Sequence, residues 1–304
     1  MGNNLKNIMN ELNIKMYGTC SLNTDLDYIK RVKSVIDKKH NCSFIKGDYL
    51  STMNPQLYLE GCKGIIVIAV PYHSNKVKLN NDETMFSSSS WGTDYHVVIK
   101  NKLNQIIDRL SLLYKNDKFI SLVDNHTLDE RYYAYKSGIG YYGSNNLITN
   151  KDYGCNIFLG IILTTYPFTD KKVIENSLYD PLYEKVCPGS AITKDGINYN
   201  KCISYLTQKK ELTKKEESKI NNLVYGCDIC TTVCKLNKDK DILKEFDFDN
   251  EVIFNLNDEF NLSNKEFKNK YGKYSGSWRG KNIIKRNLKL IKENKMKRQK
   301  NFHM

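Results

Sequence analysis

The sequence predicts an α/β fold, with an N-terminal α/β domain over residues 1–170, a small cysteine-bearing domain over 171–245 and a basic helical segment over 246–304. Three observations carry this reading. Helical and strand periodicities alternate through the first half. Two long apolar runs there have the length and composition of buried strands. The cysteines with metal-binding spacing begin only at Cys187.

Along the chain, residues 25–38 carry a helical pattern, and GCKGIIVIAVPY at 61–72 is a continuous apolar run ending near a proline. Apolar residues then return at helical intervals through HVVIKNKLNQIIDRLSLLY, which predicts a helix from Asp94 to Tyr114 with the aspartate near its cap. A short strand, FISLV at 119–123, runs into the polar segment DNHTLDER. A glycine turn, SGIGYYGSNN, and a second buried run, CNIFLGIILTTYPF, complete the first domain. At the far end, residues 281–300 carry nine Lys or Arg and a single Glu. Ile283, Ile284, Asn287, Leu288 and Ile291 share one helical face there, so that face can dock while the other presents positive charge. A solvated terminal helix and a phosphate-binding role toward RNA are both open on this pattern.

The chemistry is carried by Cys187, followed directly by Pro188, by Cys202, and by the pair Cys227 and Cys230 in YGCDICTTVC. Thiolates in C-x-x-C pairs and Cys-Pro steps hold cubane iron–sulfur clusters, each iron taking one soft sulfur ligand. This predicts a ferredoxin-like domain that moves electrons. A two-cluster ferredoxin run reads C-x-x-C-x-x-C-x-x-x-C-P, its last cysteine crossing to the other cluster. Counting back from Cys187, the three places expected to be cysteine hold Tyr183, Asp180 and Ser177. One 4Fe-4S cluster on Cys187, Cys202, Cys227 and Cys230 is therefore expected, with Cys234 left without partners. A structural zinc site on the same four thiolates is the alternative reading. Cys20, Cys42, Cys62 and Cys155 have no metal spacing and are expected to be buried apolar thiols.

Composition frames these readings. A chain of 304 residues with 40% hydrophobic content can bury a real core. No stretch reaches the length of a membrane span, and the start MGNNLKNIMNELNI lacks the layout of a secretory signal, so a cytoplasmic protein with reduced thiols and no membrane partner is expected. The net charge of +13 suggests an anionic partner, discounted because lysine, asparagine and isoleucine are abundant throughout.

Several segments together resemble a known family: WGTDYH at 91–96, VDNHTLDER at 123–131, GIGYYGSNNLI at 138–148, YGCNIFLGIIL at 153–163, KCISYLT at 201–207, YGCDICTTVC at 225–234 and WRGKNIIKRN at 278–287. In order and wording they resemble epoxyqueuosine reductase, the cobalamin- and iron–sulfur-dependent enzyme of the last step of queuosine formation in tRNA. The resemblance implies that the first domain binds cobalamin and that tRNA is the partner. An external donor, such as a flavodoxin or ferredoxin system, would supply electrons. Asp124 stands where the family has its proton donor, a role that burial beside an apolar cofactor would support by raising its pKa; read alone, Asp124 is a cap for the following helix. Gly138, Gly140, Tyr141 and Gly143 fall in the glycine stretch near the corrinoid, with Tyr95 and His96 as further cofactor-side candidates.

The departures are specific. Thr127 replaces the proline of the aspartate segment, Ser144 a lysine, Ile161 a glutamate, and Lys235 the proline of the second Cys-Pro step. The chain also ends soon after WRGKNIIKRN, where family members commonly continue into helical repeats. Two other functions stay open on this reading: a cobalamin-dependent reductase of a small molecule, and a non-catalytic iron–sulfur electron carrier.

Overall fold

The structure is a computed structural model describing residues 2–23, 25–44, 50–74, 77–168 and 179–302. Ser177 and the expected boundary near residue 170 lie outside the described residues. Along the chain come α1 (Gly2–Glu11), β1 (Met16–Ser21), α2 (Leu26–Asp37), β2 (Gly64–Pro71), β3 (Glu83–Met85), α3 (Tyr95–Leu113), β4 (Phe119–Leu122) and α4 (Glu130–Lys136). A small hairpin of β5 (Tyr141–Tyr142) and β6 (Ile148–Thr149) precedes β7 (Ile157–Thr164). The cysteine-bearing part holds α5 (Pro181–Val186), the hairpin β8 (Ile192–Thr193) and β9 (Gly196–Ile197), and the short helices α6 (Ile203–Leu206), α7 (Lys214–Glu217) and α8 (Ile229–Thr232). Then follow β10 (Ile253–Asn255), α9 (Asn264–Tyr271) and α10 (Lys281–Phe302).

The main sheet has the order β1-β2-β7-β4, and every neighbouring pair is antiparallel. The α/β expectation holds in its coarser form, a mixed helix-and-sheet architecture. The two long apolar runs form the buried strands β2 and β7, and their continuous hydrophobicity reports cover on both faces, whatever the strand direction. Ile66, Ile68 and Val70 of β2 pack with α1 and α3, while Ile65, Val67 and Ala69 meet Tyr28 of α2 and Tyr132, Tyr133 and Ala134 of α4. All eight residues of β2 are buried.

Helix α3 begins where the sequence predicts. Asp94 accepts from the His96 backbone N–H at 3.0 Å, and Val98, Ile99, Leu103, Ile106 and Leu110 form the buried stripe. The helix lies so close to β7 that a Cβ on Gly160 would stand 2.5 Å from the Ile99 side chain, which is why the strand carries glycine there.

The C-terminal part is tied to the first by β10, which pairs antiparallel with β3, and by a shared core in which Phe86 meets Phe254, Tyr271 and Tyr274. Helix α10 docks through Ile284, Leu288 and Ile291 as its pattern predicts, with Ile283 only half buried. Two buried asparagines seat it further. The Asn287 amide donates to the carbonyls of Thr207 and Val224 at 2.7 and 2.8 Å, and that of Asn294 to the carbonyls of Glu217 and Ile220 at 2.9 and 2.8 Å. Among the described residues, no helix is long and apolar enough to cross a membrane.

Candidate functional site

The four predicted ligands come together at the ends of short helices. Cys187 closes α5, Cys202 stands at the start of α6, and Cys227 and Cys230 flank the start of α8. Burial pushes the Cys227 and Cys230 thiols up to about 12, with Cys230 and Cys202 adding to the shift on Cys227, and Cys202 and Cys187 to that on Cys230. Burial and then Cys187 raise Cys202 in the same way. The four thus form one electrostatic group. Backbone amides face the sulfurs: Ala191, just before β8, donates to Cys187 Sγ at 3.3 Å, and the helix-start amides of Ser204 and Tyr205 donate to Cys202 and that of Ile229 to Cys227.

Such a nest suits thiolates whose charge a metal centre balances, because burial otherwise disfavours them. Among the described residues, no three His, Cys, Asp or Glu side chains converge closely enough to hold a single metal ion. A cubane spreads its thiolates over four different irons, and four cysteines are a donor set that fits it.

Cys234, expected to stand alone, does not. Its side chain is hydrogen-bonded to the thiol of Cys155 and to the hydroxyl of Tyr183. Cys155 is buried as expected, yet it faces a second thiol rather than an apolar wall. Spacing could not reveal this, because the two lie on segments distant in sequence.

Asp124 sits at the end of β4 with φ +51, the left-handed region. It does not cap the following helix; Asp129 does, accepting from the backbone N–H groups of Arg131 and Tyr132. The Asp124 carboxylate faces His96 Nε2 at 3.2 Å, and His96 Nδ1 faces Asp94 at 2.7 Å. Tyr95 stacks on His96 and on Phe158, and its hydroxyl bonds to Asp124. The His96 bond holds the Asp124 carboxyl below its usual range, opposite to the upward shift expected of a buried acid. Burial pulls His96 down, but the bonds to Asp124 and Asp94 outweigh it and lift the imidazole to about 9. At neutral pH the proton therefore rests on His96.

Two residues that sequence reasoning did not single out complete this corner. Glu130 accepts from the Asp124 backbone N–H at 3.0 Å and meets His126 Nε2 at 3.2 Å, and burial raises its carboxyl. The His126 side chain is buried with its Nδ1 unpartnered among the described residues.

A cleft of about 640 Å³ opens beside Asp124 and His126, bordered also by Arg131, Tyr142, Gly143 and Tyr199. Of the glycine-turn candidates, Gly143 lines it. Gly138 ends α4 at φ +76, and Gly140 is demanded by its own hairpin, where a Cβ would stand 2.5 Å from the Thr149 carbonyl oxygen. Tyr141 lies instead by Cys234 and Cys155, whose charges act on it.

Residues 53–125 match the family described as "Epoxyqueuosine reductase QueG, DUF1730", and residues 184–237 match the "4Fe-4S double cluster binding domain". An epoxyqueuosine reductase of Lactococcus garvieae is 33% identical over 295 residues, covering 91% of this chain and 82% of the relative. One from Bacillus subtilis is 34% identical over 88% of this chain and 73% of its own length. Among solved structures, an epoxyqueuosine reductase bound to an epoxyqueuosine-modified tRNA-Tyr stem loop superposes with a TM-score of 0.90 at 32% identity, over 97% of this chain and 81% of that one. A Bacillus subtilis structure, captured with its catalytic aspartate loop swung out of the active site, gives 0.87 at 30% identity, over 95% and 81%.

Proposed function

The chain belongs to the epoxyqueuosine reductase family, and from that premise we infer that it is an oxidoreductase that reduces epoxyqueuosine in tRNA to queuosine, with Asp124 and His96 as its proton-delivering pair. The observation that carries the residue assignment is the bond between His96 and Asp124, whose side chain borders the cleft. Removing the epoxide oxygen as water takes two electrons and two protons. An imidazolium held against a carboxylate can pass one proton to the leaving oxygen through that carboxylate, and Asp94 on the far side of the ring keeps the imidazole in register. Glu130 anchors the Asp124 backbone, and Thr127 ties the same loop to Tyr58 and Ser51, so the carboxylate is presented by a loop held at several points.

Cys187, Cys202, Cys227 and Cys230 hold one 4Fe-4S cluster in this reading, and a flavodoxin or ferredoxin system is the proposed donor. Cobalamin is the proposed second cofactor. The cleft fits part of a large macrocycle: Tyr142 and Tyr199 give it aromatic walls, Arg131 a fixed polar contact, and Gly143 a stretch without a side chain. When bound, cobalamin supplies the low-valent reduction that the protein's own side chains cannot. Trp278 is 54% exposed, carries the Arg279 guanidinium 4.2 Å above its ring, and touches the Tyr225 hydroxyl, offering a stacking surface for a base. The proposed organisation keeps residues 1–170 as the corrinoid and substrate domain, 171–245 as the cluster domain and 246–304 as the basic helical segment.

The test is turnover of an epoxyqueuosine-containing tRNA stem loop by protein reconstituted anaerobically with iron, sulfide and cobalamin, in wild type and Asp124→Asn. Loss of queuosine formation with both cofactors retained supports the assignment; undiminished turnover removes Asp124 from the chemistry.

A further inference from the structure

We propose that Cys155 and Cys234 are a two-electron thiol–disulfide couple, oxidised by a peroxide, built in the place where a second cluster would need its ligands. By the crossover rule, Cys234 is the cysteine whose cluster mates would stand at 177, 180 and 183. Neither of the two described positions offers sulfur. Asp180 spends its carboxylate capping α5 through the Leu182 N–H at 2.9 Å, and the Tyr183 hydroxyl is bonded to Cys234.

Into this place the fold brings Cys155, and Asn237 fixes both partners. The Asn237 side-chain oxygen accepts from the Cys155 N–H at 2.7 Å, and its own N–H donates to the Cys234 carbonyl at 3.2 Å. Its amide nitrogen donates to Asn156 at 3.3 Å and to the Thr231 carbonyl at 2.9 Å. Gly154 completes the clamp, since any Cβ there would stand 2.1 Å from Asn237 Oδ1. The thiols are thereby held facing each other by backbone that cannot easily turn away.

Bonds from Cys155, the Leu236 amide and Tyr183 converge on the Cys234 sulfur and lower its pKa, which marks it as the thiolate of the pair and Cys155 as the thiol. Exposures of 8% for Cys234 and 3% for Cys155 admit a small oxidant and exclude a bulky disulfide. The Cys234 thiolate attacks one oxygen of hydrogen peroxide, the O–O bond breaks, and the released hydroxide takes a proton to become water, leaving a sulfenic acid. The Cys155 sulfur then attacks that sulfenic sulfur; the S–S bond forms, the S–O bond breaks, and the departing hydroxide takes the Cys155 proton as a second water. Two thiols have lost two electrons and one peroxide has gained them. A dithiol reductant reverses the change and is itself oxidised to its disulfide.

The experiment uses anaerobically isolated protein carrying its cluster, assayed for iron before and after a stoichiometric pulse of hydrogen peroxide, then denatured, alkylated with N-ethylmaleimide and mapped by non-reducing peptide mass spectrometry. The expected result is one linked peptide pair, Cys155 with Cys234, formed without loss of iron, reversed by dithiothreitol and absent from Cys155→Ser and Cys234→Ser. Recovery of both residues alkylated, or a bridge from Cys234 to any of Cys187, Cys202, Cys227 and Cys230, overturns the proposal. So does iron beyond that of a single cubane that is lost in Cys234→Ser.

Discussion

The carboxylate of Asp124 is 57% exposed, on a residue whose backbone occupies the left-handed region that asparagine and aspartate tolerate better than other side chains. Asn is therefore the substitution that removes the charge and spares the turn. Asp124→Asn is expected to lower turnover by about 10²–10⁴-fold, the range of a lost positioned acid. In the same variant the His96 imidazole, at about 9 in the native protein, should titrate lower, because one of the two carboxylates raising it has gone. Imidazole NMR measures this directly, and an unchanged midpoint would show that Asp94 alone holds the proton. The sign for activity follows. His96 is charged below about 9, so proton delivery persists at neutral pH and is lost as pH rises through about 9. A pH–rate profile flat across that range would put the donor elsewhere.

Among the elements, α10 separates two roles that one sequence pattern left open. Its inner face is seated by Asn287, whose amide serves two buried carbonyls. Asn287→Ala strands both and should cost about 2–6 kcal/mol in a urea titration, since each unsatisfied buried group costs about 1–3 kcal/mol. Lys289→Ala on the exposed face should change stability by less than about 0.5 kcal/mol. The outer face is tested by charge. If Lys289 and Lys297 meet phosphates, the double change to Glu weakens stem-loop binding and flattens its dependence on log salt. A slope identical to wild type would leave the helix a solvated face and no more. The apolar stripe predicted the docking but not its polar anchors, because an asparagine reads as a surface residue until carbonyls from other segments are brought over it.

For the whole molecule, metal content is the decisive measurement. About four irons per chain are expected, falling sharply in Cys202→Ala and unchanged in Cys20→Ser, with about one cobalt when cobalamin is supplied. Zinc in place of iron would replace the cluster reading with a structural site.

Much of this protein was legible in its residues. Cysteine spacing marks candidate ligands because a Cys-Pro step and a C-x-x-C pair are local patterns, and apolar periodicity encodes helices and strands because backbone geometry repeats locally. The family followed from the wording of short segments for the same reason. Only the tertiary structure decided the rest: that the sheet is antiparallel, that Asp124 meets His96 instead of a helix N-terminus, and that Cys234 faces Cys155. Each of these joins positions whose proximity depends on the path of the whole chain, and no local pattern of side chains records that path.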